Sequence, residues 1–500
     1  MGQPIHLREQ AGASNGIHVG EQQCTNNDVE TYLCQPSDVN ARGAKDFPLT
    51  GCDQVMPKVH ARMSMYYELS NSTKQSRRDI VRVLKTGLEK LASQVPYLAA
   101  SVALDPVSKR GNMRTTGDDD GVLFLVTGAD TVRTDLPSYA EFERGHFAPW
   151  MLPNGKTYPQ ALINPVKGFQ GHDGRLPACI FQVNFIEGGL ILTACFHHFL
   201  VDGPSVDLLF RAWSAHCYGR DEIPLFTDRT ILLSPRKLDP SEIPALERAM
   251  TARGCMVDST KSDPDNPWSN LMAVPTKSAV ISFPREAVAA MKAEIAVQKP
   301  STQVSTADCL HAICWAGLIR AKAALTGEDY GAKDSWSVFP ATFRTRSTPD
   351  FPRNFIGNST FLNGAVVPIT KLIAPGGALD AAVAVRGVIE NVDAAYFADG
   401  MAWVNSIEEP ATRTWMNSPP REMDAGFTSW ACLRAYDGWD LGFGPPTALR
   451  PPASPIPYVF LMPTKGDTLE VVIAAAEATL KVMMEDTEFR QYATEFHLEP

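Results

Sequence analysis

The stretch Phe196-His197-His198-Phe199-Leu200-Val201-Asp202-Gly203 decides how the rest of the chain is read. Before it, Leu190-Ile191-Leu192-Thr193-Ala194-Cys195-Phe196 is an apolar run that predicts a buried strand. After it, Pro204 to Trp213 carries apolar residues at helical spacing. Both histidines therefore sit where a strand leaves the core and a helix begins, a place that can hold a side chain rigidly and still face a cavity. Histidine has the ordinary pKa closest to neutrality, so it can take a proton from one group and return it to another. An aspartate four positions on can orient such a ring, or brace its loop by pairing with an arginine. The same motif also fits two buried histidines satisfied by backbone carbonyls, and taken alone it leaves both readings open.

Working outward, Glu187-Gly188-Gly189 separates two apolar runs between Ala178 and Phe196 and predicts a hairpin that delivers the second strand to the histidines. Upstream, Val59 to Leu69 reads as a strand, and Asp79 to Leu91 as a helix with Ile80, Leu84, Leu88 and Leu91 on one face, stopped by Pro96. Asp118-Asp119-Asp120 is read as solvated loop charge beside the strand Val122 to Val126, not as a cation site. Downstream, strands are expected at Ala279 to Phe283, Trp336 to Phe343, Ser359 to Val367, Thr428 to Leu433, Tyr458 to Met462 and Leu469 to Ala474. Helices are expected at Arg285 to Val297, from the cap Ser305-Thr306-Ala307-Asp308 to about Leu325, and near residues 378–393 and 477–494. No short internal repeat is visible.

At 500 residues the chain is too long for one ordinary core. The divisions expected are a polar N-terminal leader at 1–45, an N-terminal lobe at 46–220, a crossover linker at 221–275 around Lys261-Ser262-Asp263-Pro264-Asp265-Asn266-Pro267, and a C-terminal lobe at 276–500. Both lobes mix strands and helices, so the fold class is α/β. Hydrophobic residues at 44% and charged residues at 20% describe a globular chain, and a net charge of -10 argues against a nucleic-acid partner. No apolar run reaches the ~20 residues that cross a bilayer, and the first residues lack a secretory segment, so a cytoplasmic location without membrane partners is expected. The 10 cysteines form no Cys-x-x-Cys pair and are read as buried and reduced, with no metal site.

The motif resembles the HHxxxDG signature of CoA-dependent acyltransferases, and four further stretches are similar to the BAHD superfamily, in particular its fungal trichothecene acetyltransferase-like members. These are Ser305 to Trp315, Phe343-Arg344-Thr345-Arg346, Phe355-Ile356-Gly357-Asn358, and Thr428-Ser429-Trp430 followed by Asp440-Leu441-Gly442-Phe443-Gly444. The last departs from the family's DFGWG at both aromatic positions, although the aspartate and two glycines that a tight loop needs remain, and Trp439 lies next to it. The resemblance covers residue 46 to the C-terminus.

That resemblance implies two chloramphenicol-acetyltransferase-like lobes of mixed sheet flanked by helices, with a channel between them and His198 as general base inside it. It implies Trp430 as an indole donor to the oxyanion, Thr428 on the acceptor side, and an Asp202–Arg344 pair bracing the loop. Gly203, Asp440, Gly442 and Gly444 are implied as structural support. Ser305 and Thr306 are implied near the pantetheine arm of acetyl-CoA or another acyl-CoA. Arg346 and Arg450 could meet its phosphates, but arginines near proline loops are usually solvated, and neither is assigned. Transfer of an acyl group, expected to be acetyl, onto the hydroxyl or amine of a small natural product follows, and a monomer is expected. With no Ser or Cys nucleophile motif, direct transfer in a ternary complex fits better than an acyl-enzyme. The alternatives are a condensation-like enzyme using carrier-protein thioesters, a cyclase that needs no CoA, and a degenerate protein that only binds.

Overall fold

Two strands without polar alternation, Cys179–Ile186 and Gly189–His197, form a hairpin whose residues are all buried. It is seen in a computed structural model that describes residues 29–69, 75–105, 107–117, 120–153, 155–159, 175–233, 236, 238–253, 256–258, 275–410, 413–415 and 421–500. Both faces are covered, so the polar Gln182, Asn184, Thr193 and His197 are buried along with the apolar majority. The turn needs Gly188, whose φ is +76°.

The hairpin lies at the centre of a six-stranded sheet in the order Glu30–Cys34, Val122–Thr127, Cys179–Ile186, Gly189–His197, His60–Glu68 and Ala448–Arg450. Val122–Thr127 runs parallel to Cys179–Ile186, and the other neighbours are antiparallel. Helix Arg77–Gln94 opens on Ser76, whose hydroxyl accepts from the Asp79 N–H at 3.1 Å, and buries Ile80, Leu84, Leu88 and Leu91 on one face. The partner helix, Gly203–Tyr218, docks on it through the Trp213 indole N–H, which donates to the Leu84 carbonyl at 3.1 Å. Truncating Leu84 to Ala would cost about 2–5 kcal/mol.

A second, seven-stranded sheet has the order Thr360–Pro368, Asp334–Thr342, Ala425–Ser429, Tyr458–Leu461, Thr468–Ala475, Lys277–Pro284 and Glu495–Leu498. Ala425–Ser429 is parallel to both of its neighbours. Helices Arg285–Gln298, Thr306–Thr326, Gly377–Glu390 and Glu477–Glu485 contribute to its core. The two sheet systems interlock. Ala448–Arg450, late in the chain, pairs with Ser64 to Tyr66, and helix Ala394–Ser406 docks on Gly51–Gln54, where the Gly51 N–H donates to Asn405 Oδ1 at 2.8 Å.

Several expectations need correcting. Glu30–Cys34, inside the stretch read as a leader, is an edge strand of the six-stranded sheet, with Cys34 buried and Leu33 exposed. Within the linker expected at 221–275, Ile243–Arg253 is helical, and Met256–Asp258 pairs with Arg413–Trp415. The strand expected at Thr428 to Leu433 ends at Ser429, and the helix expected to run to 494 stops at Glu485, after which Phe489–Gln491 makes a 3-10 turn. Residues 1–28, Asp118-Asp119 and Lys261 to Pro267 lie outside the described residues.

Candidate active site

The turn after Gly189–His197 ends on Asp202, and this one carboxylate does two jobs. As N-cap it accepts the Ser205 N–H at 3.2 Å. It also takes a two-pronged contact from Arg344, with Nη1 2.7 Å from Oδ2 and Nη2 2.8 Å from Oδ1. Cap and ion pair, weighed as alternatives from the sequence, coexist. The Ser359 N–H and the Thr360 hydroxyl each add a donor to Asp202 at 3.0 Å. Arg344 is only 5% exposed, so it is no surface charge, and it also donates to Ser205 Oγ at 2.6 Å and to the carbonyls of Phe355 and Gly357 at 3.0 and 3.1 Å. Burial works to raise the Asp202 pKa, but Arg344 and the Ser359 and Ser205 N–H groups outweigh it and hold the carboxyl below its ordinary value. Gly203 starts the helix without a positive φ, and a Cβ there would meet nothing within 4 Å, so the chain's own conformation does not require glycine at this position.

The two histidines have different surroundings. His197 is fully buried, its Nδ1 accepts the Phe199 N–H at 3.2 Å, and its ring meets His60 and Phe199 edge-on at 5.2 and 4.8 Å. Burial, then His60, His198 and Lys58, push its pKa far down, which keeps it neutral. His198 retains partial exposure. Its backbone N–H donates to the Val59 carbonyl at 3.0 Å, and its own carbonyl accepts from Asn358 Nδ2 at 2.8 Å. Its Nδ1 is buried. Burial lowers the His198 pKa, while the Asp202 carboxylate and the Val201 backbone pull it back up.

Thr428, half-buried, lies at the end of strand Ala425–Ser429. Trp430 donates its backbone N–H to the Leu461 carbonyl at 2.7 Å and sets its ring edge-on to Phe460 at 5.5 Å. The loop that follows reaches the motif helix, where the Arg434 N–H donates to Asp207 Oδ1 at 2.7 Å. The loop after the Thr-Ser-Trp element thus reaches the helix that follows His198 through Arg434 and Asp207.

Residues 59–217 match the family model of the trichothecene 3-O-acetyltransferase-like N-terminal domain. Acyltransferase easC of Emericella nidulans is 26% identical over 467 residues, which is 89% of this chain and 94% of that protein. Trichothecene 3-O-acetyltransferase TRI101 of Fusarium sporotrichioides is 24% identical, covering 90% of this chain and 96% of its own. The chain is similar to trichothecene 3-O-acetyltransferase-like acyltransferases over most of its length. Its fold agrees, with a TM-score of 0.73 at 19% identity to the crystal structure of F. graminearum TRI101 complexed with coenzyme A and T-2 mycotoxin, across 91% of this chain and 100% of that one.

In this chain the Asp440-Leu441-Gly442-Phe443-Gly444 element is a pinned loop. Asp440 Oδ1 accepts the N–H groups of Gly442 and Gly444 at 2.9 Å each, and those glycines have φ of +106° and +102°, which other residues rarely adopt. Asp440 Oδ2 accepts the Tyr218 hydroxyl at 2.6 Å. Trp439 is buried against Phe210, with ring centroids 4.3 Å apart and nearly parallel planes, and its indole N–H donates to Asp207 at 3.0 Å. Phe443 packs edge-on against Tyr67 at 4.9 Å.

Ser305, expected near the pantetheine arm, is a helix cap in the structure. Its hydroxyl accepts the Asp308 N–H at 3.2 Å while Asp308 accepts the Ser305 N–H at 2.7 Å, a capping box opening helix Thr306–Thr326. Asp308 also takes Arg386 Nε at 2.8 Å. Arg346, two residues after Arg344, is half-buried, and burial, then Arg386, lower its pKa while Asp308 opposes them. Arg344 thus turns to Asp202 while Arg346 sits in electrostatic contact with the cap region of Ser305 and Asp308. Arg450, weighed for phosphate, is 3% exposed and committed to Glu470 at 2.9 and 3.2 Å and to the His146 carbonyl at 3.0 Å, which makes it structural. Among the described residues no group of three or more His, Cys, Asp or Glu side chains is placed to hold a metal ion, and no helix is long and apolar enough to cross a membrane. Sequence reasoning missed Asp207, which ties the Thr-Ser-Trp loop to the motif helix, and the buried pair Asp53–Arg229. The only local signal for either was a charged residue in apolar company.

Proposed function

We propose that this chain moves an acyl group from acyl-CoA to the hydroxyl, or less favourably the amine, of a small natural product in one direct step. The observation carrying this reading is His198 itself, partly exposed just past the end of a buried strand, in a turn held by a two-pronged Asp202–Arg344 pair. His198 Nε2 takes the acceptor proton as the acceptor oxygen attacks the thioester carbonyl. The tetrahedral oxyanion is met by the Trp430 indole N–H, with Thr428 on the acceptor side. As the C–S bond breaks, the proton on His198 passes to the CoA sulfur. General-base help is worth about 10²–10⁴ in rate, and one oxyanion donor about 10²–10³. Asp202 does not take part in the proton transfer, since its pKa is held low by Arg344.

For acyl-CoA, Ser305 and Thr306 sit at the start of a long helix whose dipole favours negative charge, and the half-buried Arg346 and Arg386 lie by the same cap. A neighbouring fold complexed with coenzyme A and T-2 mycotoxin supports a ternary complex. The test is incubation of the purified protein with acetyl-CoA and a panel of terpenoid and polyketide alcohols, read by mass spectrometry and by release of free thiol. A product heavier by one acyl group, with one thiol released per product, is expected. Calorimetry showing no affinity for CoA or acetyl-CoA would overturn the reading in favour of a carrier-protein or CoA-independent chemistry.

A further inference from the structure

Beneath the turn that carries His198, three successive backbone carbonyls are each taken by a buried side chain. Asn358 Nδ2 donates to the His198 carbonyl at 2.8 Å, Arg229 Nη1 to that of Phe199 at 3.3 Å, and Arg229 Nη2 to that of Leu200. One carboxylate holds both donors. Asp53 Oδ1 lies 2.9 Å from Arg229 Nη1, 2.9 Å from Asn358 Nδ2 and 3.3 Å from the Asn358 backbone nitrogen. Its other oxygen accepts the Thr50 N–H and hydroxyl, each at 2.9 Å. The Arg229 guanidinium lies over the Tyr97 ring, 4.6 Å from its centroid, and Asp53, Asn358 and Arg229 are 0%, 0% and 2% exposed.

A buried ion pair is weak evidence for stability, because desolvating two charges offsets most of their attraction. This pair is aimed instead at the peptide planes of one turn. Asp202 and Arg344 fix the end of that turn at the helix, four residues after His198, and leave the His198 peptide itself to other partners. A reacting group displaced by about 1 Å can cost on the order of 10² in rate, so the orientation of that peptide has catalytic weight.

We propose that Asp53, Arg229 and Asn358 form a positioning clamp that sets the direction of the His198 imidazole without touching substrate. The proposal rests on the reading of His198 as the base. Asn358→Ala removes the donor to the His198 carbonyl and leaves the Asp53–Arg229 pair in place, so it is expected to stay folded. Its kcat should fall about 10-fold while KM for acyl-CoA stays within about twofold, and the titration of the His198 imidazole, followed by NMR in the ligand-free protein, should move. Arg229→Lys keeps the charge facing Asp53 but lacks the fork that spans two carbonyls, and should show the same kcat loss at unchanged KM. A folded Asn358→Ala variant with wild-type kcat, or with its loss confined to KM, would overturn the clamp. Should Arg229→Lys fail to fold, Asn358→Ala decides alone. His198→Ala separates the two readings: if it retains turnover, the base assignment fails, and an unmoved His198 titration in Asn358→Ala then overturns the clamp as well.

Discussion

His198 lies just before a helix capped by Asp202, and His311 lies within the helix opened by the Ser305–Asp308 box, and their surroundings give them different chemistry. His311 is 4% exposed, lies nearly flat on Phe427 with ring centroids 3.7 Å apart, and has its Nε2 bonded to Ser337 Oγ at 2.5 Å. Burial without a neighbouring anion pushes its pKa down to about 3. His198 is lowered by burial too, but Asp202 pulls against it, and part of the residue reaches open space. The fixed Asp202 carboxylate and the partial opening separate His198 from His311, which is held neutral inside a helix core, and the proposed base role draws on that difference.

The strongest way to break this contrast is to remove the carboxylate. Asp202→Ala leaves Arg344 buried without its partner and should cost about 3–5 kcal/mol, seen as a large fall in melting temperature along with lost turnover. If melting is unchanged, Asp202 is not bracing the turn. On the other side of the comparison, His311→Ala should cost about 3 kcal/mol through the cavity it leaves, while kcat changes less than about twofold in whatever fraction stays folded. A specific loss of kcat there would erase the distinction between the two residues.

Acid sharpens it further. His311 titrates at about 3 and His60, bonded through Nε2 to the Pro177 carbonyl at 2.8 Å, at about 4, both below the ordinary 6.5. The unfolded chain therefore binds protons that the folded chain refuses, so stability is full above the ordinary value of 6.5 and falls as pH drops. Each residue should cost about 2 kcal/mol on going to about pH 4.5, readable by denaturant titration. Asp202 has the opposite anatomy, with a lowered carboxyl pKa, so its contribution holds through this window and fades only below its ordinary value of 3.8.

How much of this was legible follows from range. The hairpin, the motif helix with its Asp202 cap and the Ser305–Asp308 box are encoded within a few residues by apolar runs, a turn glycine and cap chemistry, and the structure has them where those signals lie. The Asp202–Arg344 pair spans 142 positions and was reached only through resemblance. Asp53 and Arg229 lie 176 positions apart in stretches that lack a resembling motif, and a buried pair at that separation leaves no periodic trace. Ala448–Arg450 is too short to show strand alternation, and its pairing with Ser64 to Tyr66 depends on the whole chain having folded. The expected strand at Thr428 to Leu433 overran because Trp430 to Leu433 is apolar for packing in a loop, where Leu433 is buried without being extended into the sheet.

The measurement that bears most directly on the role of His198 is a paired one on His198→Ala, taking turnover of acetyl-CoA with an accepted alcohol alongside CoA affinity by calorimetry. Turnover should fall by about 10²–10⁴ with CoA affinity held within about threefold. Turnover within about threefold of wild type, at unchanged affinity, would contradict it.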